Sequence, residues 1–273
     1  MRYITHILTK LTVDMVHNIK EITSITNPRI VELSKLNTKK NRLEAGCFIV
    51  EGKHLVEEAN KHKVLKEVLI SDESYIDLSK INATIIKVTD QIIKKLSTTK
   101  NPQPVLGICE IIAKQNIKEL ASKASFKACM LDGINDPGNL GTLIRTAASL
   151  GYDAVIASKD SVDYYNEKTI RASQGAIFKI PLISTDLVPL IKEFKKNDIL
   201  VYGTSLKRSV SIYDVKKPDK LCLVFGNEAR GISDEVLDVT SKNIILPMKK
   251  DVESLNVTIA SSIIMYEFIR SEQ

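Results

Sequence analysis

Apolar and polar positions alternate regularly along most of the chain, and they predict helices and strands in turn. The first long pattern, NPRIVELSKLNTKKNRLEAG, predicts one helix, because Pro28 suits a first turn and Ile30, Leu33 and Leu36 are spaced for one face. Strands are predicted at CFIVEG, VLKEVLIS, TIIKV and PVLGICEII, with helices at KHLVEEANKH and TDQIIKKLS between them. This alternation predicts a small α/β unit of about 90 residues.

The alternation restarts at the strand FKACMLD and continues to the last helix, SLNVTIASSIIMYEFIR. Strands are predicted at DAVIAS, DILVYGTS, LCLVFGNE and NIILPM, and helices at GNLGTLIRTAASLG, NEKTIRASQG, DLVPLIKEFKKN and SDEVLDVT. The run LCLVF is apolar at every position and NIIL at three of its four positions, which is typical of parallel strands buried on both faces. The second unit is therefore predicted to be an α/β domain built on a parallel sheet.

A polar, lysine-rich segment, AKQNIKELASKASFK, separates the two units and has few large apolar residues. It is the predicted boundary. We expect an N-terminal extension over residues 1–17, a first domain over 18–112, a linker over 113–125 and a second domain over 126–273.

Composition excludes several classes of protein. The chain has 273 residues, 44% hydrophobic and 26% charged, and no apolar run approaches the ~18 residues of a membrane span. The start of the chain lacks the apolar core of a signal peptide, so we expect a cytoplasmic protein. The four cysteines are far apart without a CxxC pair, and all four histidines lie in the first quarter. We therefore expect reduced thiols, no metal, and no histidine-based catalytic triad.

The positive charge is concentrated at the front of the chain. The formal net charge is +6. Residues 1–110 carry 17 Lys and Arg against 13 Asp and Glu, residues 111–125 carry 3 against 1, and residues 126–273 carry 19 against 19. The densest basic cluster consists of Arg29, Lys35, Lys39, Lys40 and Arg42. Such a cluster is either a solvated helix face or a contact surface for nucleic-acid phosphates.

Three turn-rich loops follow apolar strands of the second unit, where open parallel sheets bind ligands. In the first, NDPGNLGTLIRTAASLG, either Gly138 or Asn139 is predicted to cap the helix. Arg145 lies off the apolar face of this helix, so it is either an ordinary surface arginine or a functional one.

The second loop, LCLVFGNEARGIS, runs from a buried strand into Gly226. A glycine there either lets a flat ligand pack against the backbone or serves a tight turn. The third loop, IILPMKKDVESLNVTIASS, contains Ser254, the predicted N-cap of the last helix, and Asn256. Either these two residues only start the helix, or the Asn256 amide serves a ligand or partner. The sequence contains no GxG and no GxxxxGK[ST], which excludes the Rossmann fingerprint and the P-loop.

Together, the three loops resemble in content and order the motifs of the SpoU (TrmH) branch of the knotted SPOUT RNA methyltransferases. NDPGNLGTLIRTAASLG resembles the first motif, LVFGNEARGIS the second and LPMKKDVESLNVTIASS the third, within residues 126–270. The front segment, SITNPRIVELSKLNTKKNRLEAGCFIVEGKHLVEEA, resembles the substrate-binding domain often fused ahead of that catalytic domain, which has a fold like ribosomal protein L30e.

The resemblance implies a trefoil-knotted parallel-sheet domain that binds S-adenosylmethionine and forms a homodimer. Carried over by position, Gly226, Leu246 and Leu255 would line the cofactor pocket, with Thr204, Leu206 and Met248 as neighbours. The family's reaction is methylation of a ribose 2′-hydroxyl in RNA, with the arginine of the first motif, here Arg145, at the reacting group.

The remaining polar motif positions are implied to hold that arginine, the ribose and the loops; they are Asn139, Glu228, Ser254 and Asn256. Beside an RNA-modifying domain, the basic cluster is predicted to bind RNA phosphates through Arg29, Lys39, Lys40 and Arg42.

Ribosomal RNA is the expected substrate. The alternatives are a tRNA 2′-O-methyltransferase, an antibiotic-resistance rRNA methyltransferase, a non-catalytic RNA-binding or ribosome-assembly factor, and a metabolic α/β enzyme with a small-molecule substrate.

Overall fold

The structure is a computed structural model that describes residues 19–113, 115–206, 208–249 and 255–270. The chain divides into two compact units, Met1–Ile112 and Ala113–Gln273. The predicted extension over residues 1–17 lies outside the described residues. Within the described part of the chain, no helix is long and apolar enough to cross a membrane.

The first unit is built on a mixed sheet whose described strands have the order β1-β4-β3-β5-β2. Strand β5 is antiparallel to both β2 and β3, whereas β4 is parallel to β1 and β3. The strands are β1 (Lys20–Ile22), β2 (Cys47–Glu51), β3 (Leu65–Ile70), β4 (Thr84–Val88) and β5 (Val105–Glu110), and the helices are α1 (Pro28–Ser34), α2 (Lys39–Ala45), α3 (Lys53–Lys61) and α4 (Asp90–Leu96). The predicted alternation of strands and helices is confirmed here, with β1 as an addition.

The single helix predicted over NPRIVELSKLNTKKNRLEAG is wrong. Helix α1 ends in a 3-10 turn (Lys35–Asn37), and α2 starts after Thr38, whose backbone is extended at φ −107° and ψ 144°. The Thr38 hydroxyl caps α2 by accepting a hydrogen bond from the Asn41 amide at 3.3 Å. Arg42 donates to the carbonyl of Leu36 across the break at 2.8 Å. These polar contacts satisfy backbone groups that one continuous helix would have paired internally.

The second unit contains, within the described residues, a seven-stranded parallel sheet of order β10-β12-β9-β11-β6-β7-β8. The strands are β6 (Phe126–Asp132), β7 (Ala154–Ser158), β8 (Leu182–Thr185), β9 (Leu200–Thr204), β10 (Val210–Ser211), β11 (Lys220–Gly226) and β12 (Lys242–Ile245). The helices are α5 (Ile117–Ala121), α6 (Pro137–Ser149), α7 (Glu167–Ser173), α8 (Leu187–Lys196), α9 (Asp234–Leu237) and α10 (Val257–Ile269). The parallel sheet predicted from the apolar runs is confirmed.

The linker predicted over residues 113–125 is wrong, because this segment contains α5 and belongs to the second unit. Ile117, Leu120 and Ala121 pack into the apolar layer on one side of the sheet. Lys123 forms an ion pair with Asp153 at 2.9 Å, which ties the end of the segment to the turn before β7. Three apolar positions on one turn were too weak a pattern to stand out in a lysine-rich stretch.

Close packing around α6 fixes the element that follows the first motif loop. A Cβ at Gly141 would overlap the carbonyl oxygen of Thr169, so glycine is needed for α6 and α7 to approach each other. The terminal helix α10 also packs against α6, and the hydroxyls of Thr146 and Ser262 are hydrogen-bonded at 3.2 Å. The Tyr152 hydroxyl donates to the carbonyl of Met265 at 3.1 Å. Helix α6 is thus held between two neighbours and the sheet.

Candidate active site

The three motif loops begin side by side at one edge of the sheet. Strands β12, β9, β11 and β6 are adjacent and parallel, so their carboxyl ends lie at the same edge. The first motif loop follows β6, the second follows β11 and the third follows β12. This is the edge at which open parallel sheets bind their ligands.

Asp136, rather than Gly138 or Asn139, caps helix α6, which corrects the predicted cap. Its carboxylate accepts a hydrogen bond from the Asn139 amide at 2.8 Å and pairs with Lys168 at 3.1 Å. The amide hydrogen bond is the main reason that the pKa of Asp136 lies below its ordinary value, and Lys168 adds to the effect. The Asn139 side chain is consequently free of the capping role and projects from the first turn.

Asn139 and Glu228 join the first motif loop to the second. The Asn139 side-chain amide donates to a carboxylate oxygen of Glu228 at 2.7 Å, although 89 positions separate them. Asn139 is half-buried and Glu228 is exposed. The structure therefore brings together two of the predicted site residues and leaves one acidic group at the surface of the site.

A short hairpin shapes the second motif loop. The backbones of Asn227 and Gly231 exchange two hydrogen bonds, of 3.0 and 2.9 Å. A Cβ at Gly226 would overlap the backbone of Gly231 and Ile232. The tight turn, rather than a ligand packed on Gly226, therefore accounts for this glycine.

Two side chains that the sequence pattern did not single out, Asp132 and Asn227, hold this hairpin in place. The buried carboxylate of Asp132, at the end of β6, accepts hydrogen bonds from the amide and hydroxyl of Ser233 at 2.7 and 2.8 Å. The Asn227 side chain donates to the carbonyl of Gly133 at 2.8 Å. An acid that directly follows the apolar run ACML was the available signal for Asp132.

Arg230 provides a further tie, from the hairpin to the loop after β7. Its guanidinium pairs with Asp160 at 2.9 Å. The Ser158 hydroxyl and Arg230 together hold the pKa of Asp160 below its ordinary value, against the smaller, opposing effect of partial burial. Both side chains are exposed, so this pair orients the loop more than it stabilises the fold.

Arg145 is exposed on α6, about two turns after the start of the helix at Pro137. Within the described residues it has neither a hydrogen-bond nor an ion-pair partner, and neither Asn139 nor Glu228 contacts it in that way. The expectation that these residues hold Arg145 has no support among the described contacts of one chain. An unpaired guanidinium near the motif loops is available to an incoming anionic or hydroxyl group.

The comparison with known families decides the identity of this arrangement. The sequence model of the SpoU rRNA methylase family matches residues 128–266, which is half of the chain. A model described as an MRM3-like substrate binding domain matches residues 27–107. The chain belongs to the SpoU rRNA methylase family.

Relatives cover almost the whole length of this SpoU family member. The Bacillus subtilis 23S rRNA (guanosine(2553)-2′-O)-methyltransferase RlmP is 34% identical over 250 residues, 90% of this chain and 98% of the relative. A crystal structure of an AdoMet-bound rRNA methyltransferase from Sinorhizobium meliloti superimposes with a TM-score of 0.81 at 28% identity, covering 93% of this chain and 99% of that one. A TrmH-family RNA methyltransferase structure from Porphyromonas gingivalis gives a TM-score of 0.81 at 29% identity, covering 91% and 99%.

The chain offers apolar side chains that could hold the adenosine of S-adenosylmethionine. Leu206, Met248 and Leu255 are 72%, 39% and 36% exposed, in the segments after β9, after β12 and before α10. Large apolar side chains left exposed at a ligand-binding edge fit a flat, largely apolar ring. Leu246, which directly follows β12, is half-buried and packs against the core.

Two of the positions carried over from the family have structural roles in this SpoU member. The Thr204 hydroxyl donates to the carbonyl of Val224 at 3.0 Å, which links β9 to β11. Asn256 is the N-cap of α10 and accepts from the Thr258 amide at 2.8 Å. The predicted cap, Ser254, lies outside the described residues, and helix α10 begins after Asn256 instead.

The four predicted RNA contacts of the basic cluster have different environments. Lys39 and Lys40 are exposed, and Lys40 lies 3.8 Å from Glu44. Arg29 is bound by Glu32 at 2.7 Å and Glu67 at 3.0 Å, and these hydrogen bonds raise its pKa against the opposing effect of burial, which is the largest single contribution.

Arg42 corrects the prediction, because it is only 4% exposed and donates to a backbone carbonyl. A buried guanidinium cannot reach an RNA phosphate at the surface. Lys39 and Lys40 remain as the accessible cations of the predicted set.

All four cysteines are free thiols, and Cys109, Cys129 and Cys222 are buried in strands. Burial raises the pKa of each of these three thiols, which suppresses the reactive thiolate. We assign them to packing and not to chemistry.

Proposed function

We propose that the protein transfers the methyl group of S-adenosylmethionine to the 2′-hydroxyl of a ribose in ribosomal RNA. The observation that carries the proposal is the meeting of two family motifs at the carboxyl edge of the sheet, where Asn139 binds Glu228 at 2.7 Å. The exposed Arg145 lies on the same helix as Asn139. The site thus combines a fixed acidic group with an accessible cation that has no partner among the described residues.

The cofactor would lie among the exposed leucine and methionine side chains after β9 and β12. Leu206, Met248 and Leu255 would pack against its adenine, and the hairpin after Gly226 would supply backbone hydrogen-bonding groups. The cofactor supplies an activated sulfonium methyl group, so the protein's own task is to place the ribose and manage its proton.

We assign Arg145 to orienting the ribose hydroxyl and a neighbouring phosphate. A guanidinium keeps its proton at neutral pH and presents several donors in a rigid fork, which suits an RNA backbone. Glu228, held by Asn139, provides the acceptor that completes the placement. Both Arg145 and Glu228 are exposed, so each side chain is accessible to the RNA in its proposed role.

The proposed substrate is a guanosine of large-subunit ribosomal RNA, as in the name of the Bacillus relative, which aligns with 90% of this chain. The first unit would bind the surrounding RNA, in keeping with the match of residues 27–107 to a substrate-binding domain. Lys39 and Lys40 would bind phosphates there, and such contacts position the RNA without reading its sequence. This substrate places the proposed activity in the cytoplasm.

We also propose that the second unit forms a homodimer through α10. One face of this helix packs on the core through residues that include Ile264, Met265 and Phe268. Ile259, Ile263 and Tyr266 lie on another face at spacings of four and three residues and are about half exposed. Helix α10 is therefore apolar both on the face that packs on the core and on the exposed face. An exposed apolar face of this kind is typical of a protein interface.

The trefoil knot is likewise a proposal. Strand β12 lies beside β9, on the side away from β11, and the chain then returns to place α10 against α6. This route from β11 past β9 and back supports a threaded chain.

Methylation of RNA by the Arg145→Ala variant tests the proposed function. We expect the purified wild-type protein to introduce one 2′-O-methyl group into a 23S rRNA transcript, mapped by resistance of the site to alkaline cleavage. In Arg145→Ala we expect the rate to fall at least about 100-fold, with the S-adenosylmethionine Kd within about twofold of wild type, because the arginine acts on the ribose.

The control is Lys123→Ala, which removes a surface ion pair next to the opposite, amino-terminal edge of the sheet. We expect this variant to methylate RNA like the wild type. Near-normal turnover of Arg145→Ala would refute its assignment, and failure of the wild type to bind S-adenosylmethionine would refute the proposed function.

A further inference from the structure

An exposed tyrosine at the edge of the sheet has no place in the site described above. Tyr213 is 63% exposed and lies in a 3-10 turn (Ile212–Asp214) that follows β10. Its own turn does not need the ring for packing, since the adjacent Ile212 is fully buried and anchors the segment. The aromatic ring of Tyr213 is therefore exposed to solvent, while the buried Ile212 side chain fixes the backbone next to it.

The turn that carries Tyr213 is secured on both sides. The Ser211 hydroxyl accepts a hydrogen bond from the Tyr213 amide at 3.2 Å. Downstream, the Tyr202 hydroxyl donates to the carbonyl of Lys216 at 3.2 Å, and Lys217 pairs with Glu267 at 2.6 Å. A ring on such a support loses little conformational entropy when a ligand stacks on it.

The Tyr213 ring lies at the carboxyl ends of the strands, as the motif loops do. Strand β10 pairs in parallel with β12, with Val210 opposite Ile244 and Ser211 opposite Ile245. The residues that follow the two strands, including Tyr213 and Met248, therefore leave the sheet in the same direction. With β12 and β9 between β10 and β11, Tyr213 is three strand spacings, or roughly 14 Å, across the sheet from the start of the second motif loop.

The segment around Tyr213 is basic within an otherwise neutral domain. Residues 206–217 contain Lys207, Arg208, Lys216 and Lys217 against a single acid, Asp214, whereas residues 126–273 as a whole are balanced. Arg208 and Lys216 are exposed. The backbone of Arg208 is left-handed, with φ 49°, a strained conformation for a residue with a side chain. Local positive charge at this edge complements a polyanion.

We propose that Tyr213 stacks on an unpaired nucleobase beside the target nucleotide while Arg208 and Lys216 bind the adjoining phosphates. Unpaired bases stack on aromatic side chains with little dependence on sequence, and flanking cations follow the backbone. This subsite lies in the catalytic domain and is separate from Lys39 and Lys40 in the first unit. It rests on the proposed function in one respect, that the substrate is RNA.

Equilibrium binding of RNA tests the stacking contact directly. The probe is a fluorescein-labelled transcript of the 23S rRNA segment that contains guanosine 2553, the nucleotide in the name of the Bacillus relative, titrated with the full-length protein. We expect Tyr213→Ala to raise the Kd at least about fivefold and Tyr213→Phe to stay within about twofold, since the ring is retained. Tyr213→Leu, which keeps apolar area without the aromatic ring, should lose most of the affinity.

Salt dependence separates stacking from charge. The slope of log Kd against log salt concentration should be unchanged in Tyr213→Ala. In the double variant Arg208→Gln, Lys216→Gln the slope should fall by about 0.7 for each phosphate that is no longer neutralised. All four variants should bind S-adenosylmethionine like the wild type, which also shows that they are folded.

A set of transcripts with single abasic sites identifies the stacked base. One abasic position near the target should weaken wild-type binding and have no further effect on Tyr213→Ala, because both changes remove the same interaction. The proposal fails if Tyr213→Ala and Tyr213→Leu bind RNA like the wild type, or if their cofactor affinity falls in parallel. A wild type that binds the transcript without methylating it would refute the proposed function while leaving the stacking interaction testable.

Discussion

At the scale of single residues, identical side-chain types in this protein have opposite roles. Arg145 is exposed and has no partner among the described residues, whereas Arg42 is buried and tied to the Leu36 carbonyl. Arg29 is intermediate between the two, because its side chain is partly exposed but is bound to two glutamates. Only the first of these guanidinium groups is available to a substrate, and the difference comes from the surroundings and not from the residue.

At Gly226 the backbone of the neighbouring hairpin leaves no room for a side chain. A Cβ there would overlap the backbone of Gly231 and Ile232, which cannot move without opening the hairpin. We expect Gly226→Ala to lower the free energy of unfolding by about 3 kcal/mol and to weaken S-adenosylmethionine binding, as measured by urea unfolding and calorimetric titration.

Gly231→Asn is the matched control in the same hairpin. Gly231 has φ +73°, and a Cβ there would meet nothing within 4 Å. Asparagine tolerates this left-handed conformation, so we expect a loss of less than about 1 kcal/mol. Equal losses in both variants would show that steric overlap at Gly226 is not what shapes the loop.

At the scale of elements, one acid at the end of β2 organises the loop between α4 and β5. A carboxylate oxygen of Glu51 accepts from the Ser97 hydroxyl at 2.5 Å, and the other accepts from the Thr99 hydroxyl at 2.8 Å and the Gln103 amide at 3.1 Å. A loop without secondary structure of its own depends on such ties for a defined shape. Glu51 therefore acts as a support for an element distant in the sequence.

Glu51→Gln should loosen this loop. The amide keeps the size of the side chain but presents donors to groups that already donate, so we expect about 2 kcal/mol less stability in urea unfolding. We also expect faster amide exchange over residues 97–103.

Glu110→Gln serves as the control, because Glu110 forms an exposed ion pair with Lys66 at the end of β5. We expect a change within about 0.5 kcal/mol there. If Glu51→Gln were as mild as Glu110→Gln, the proposed support of the loop would be contradicted.

At the scale of the whole molecule, the apolar outer face of α10 determines the proposed assembly. Ile259 and Ile263 are exposed one turn apart on this face. We expect the wild type to be a dimer by size-exclusion chromatography with light scattering, and Ile259→Asp with Ile263→Asp to be a monomer that retains its fold, because two buried charges would oppose association.

Leu43→Asp is the control, since Leu43 is an exposed leucine on α2 of the first unit. That variant should remain a dimer. A monomeric wild type, or a double variant that still dimerises, would exclude α10 as the interface.

Much of the architecture could be predicted because it follows from local patterns. Apolar runs such as LCLVF in β11 and the alternation with amphipathic segments indicated the parallel sheet. Short elements were not predicted, since β10 has only two residues and α5 has one turn in a lysine-rich stretch. These elements are stabilised by neighbours and not by their own periodicity.

The sequence by itself determined the order of the longer strands and helices, the family, and the identity of the motif residues, because periodicity and short motifs are properties of contiguous segments. The tertiary structure alone decided which of these residues meet and which are accessible. Asn139 reaches Glu228 across 89 positions, Thr38 interrupts a predicted helix, and Arg42 is buried while Lys39 is exposed. Burial and pairing depend on segments far apart in the chain, which local pattern cannot report.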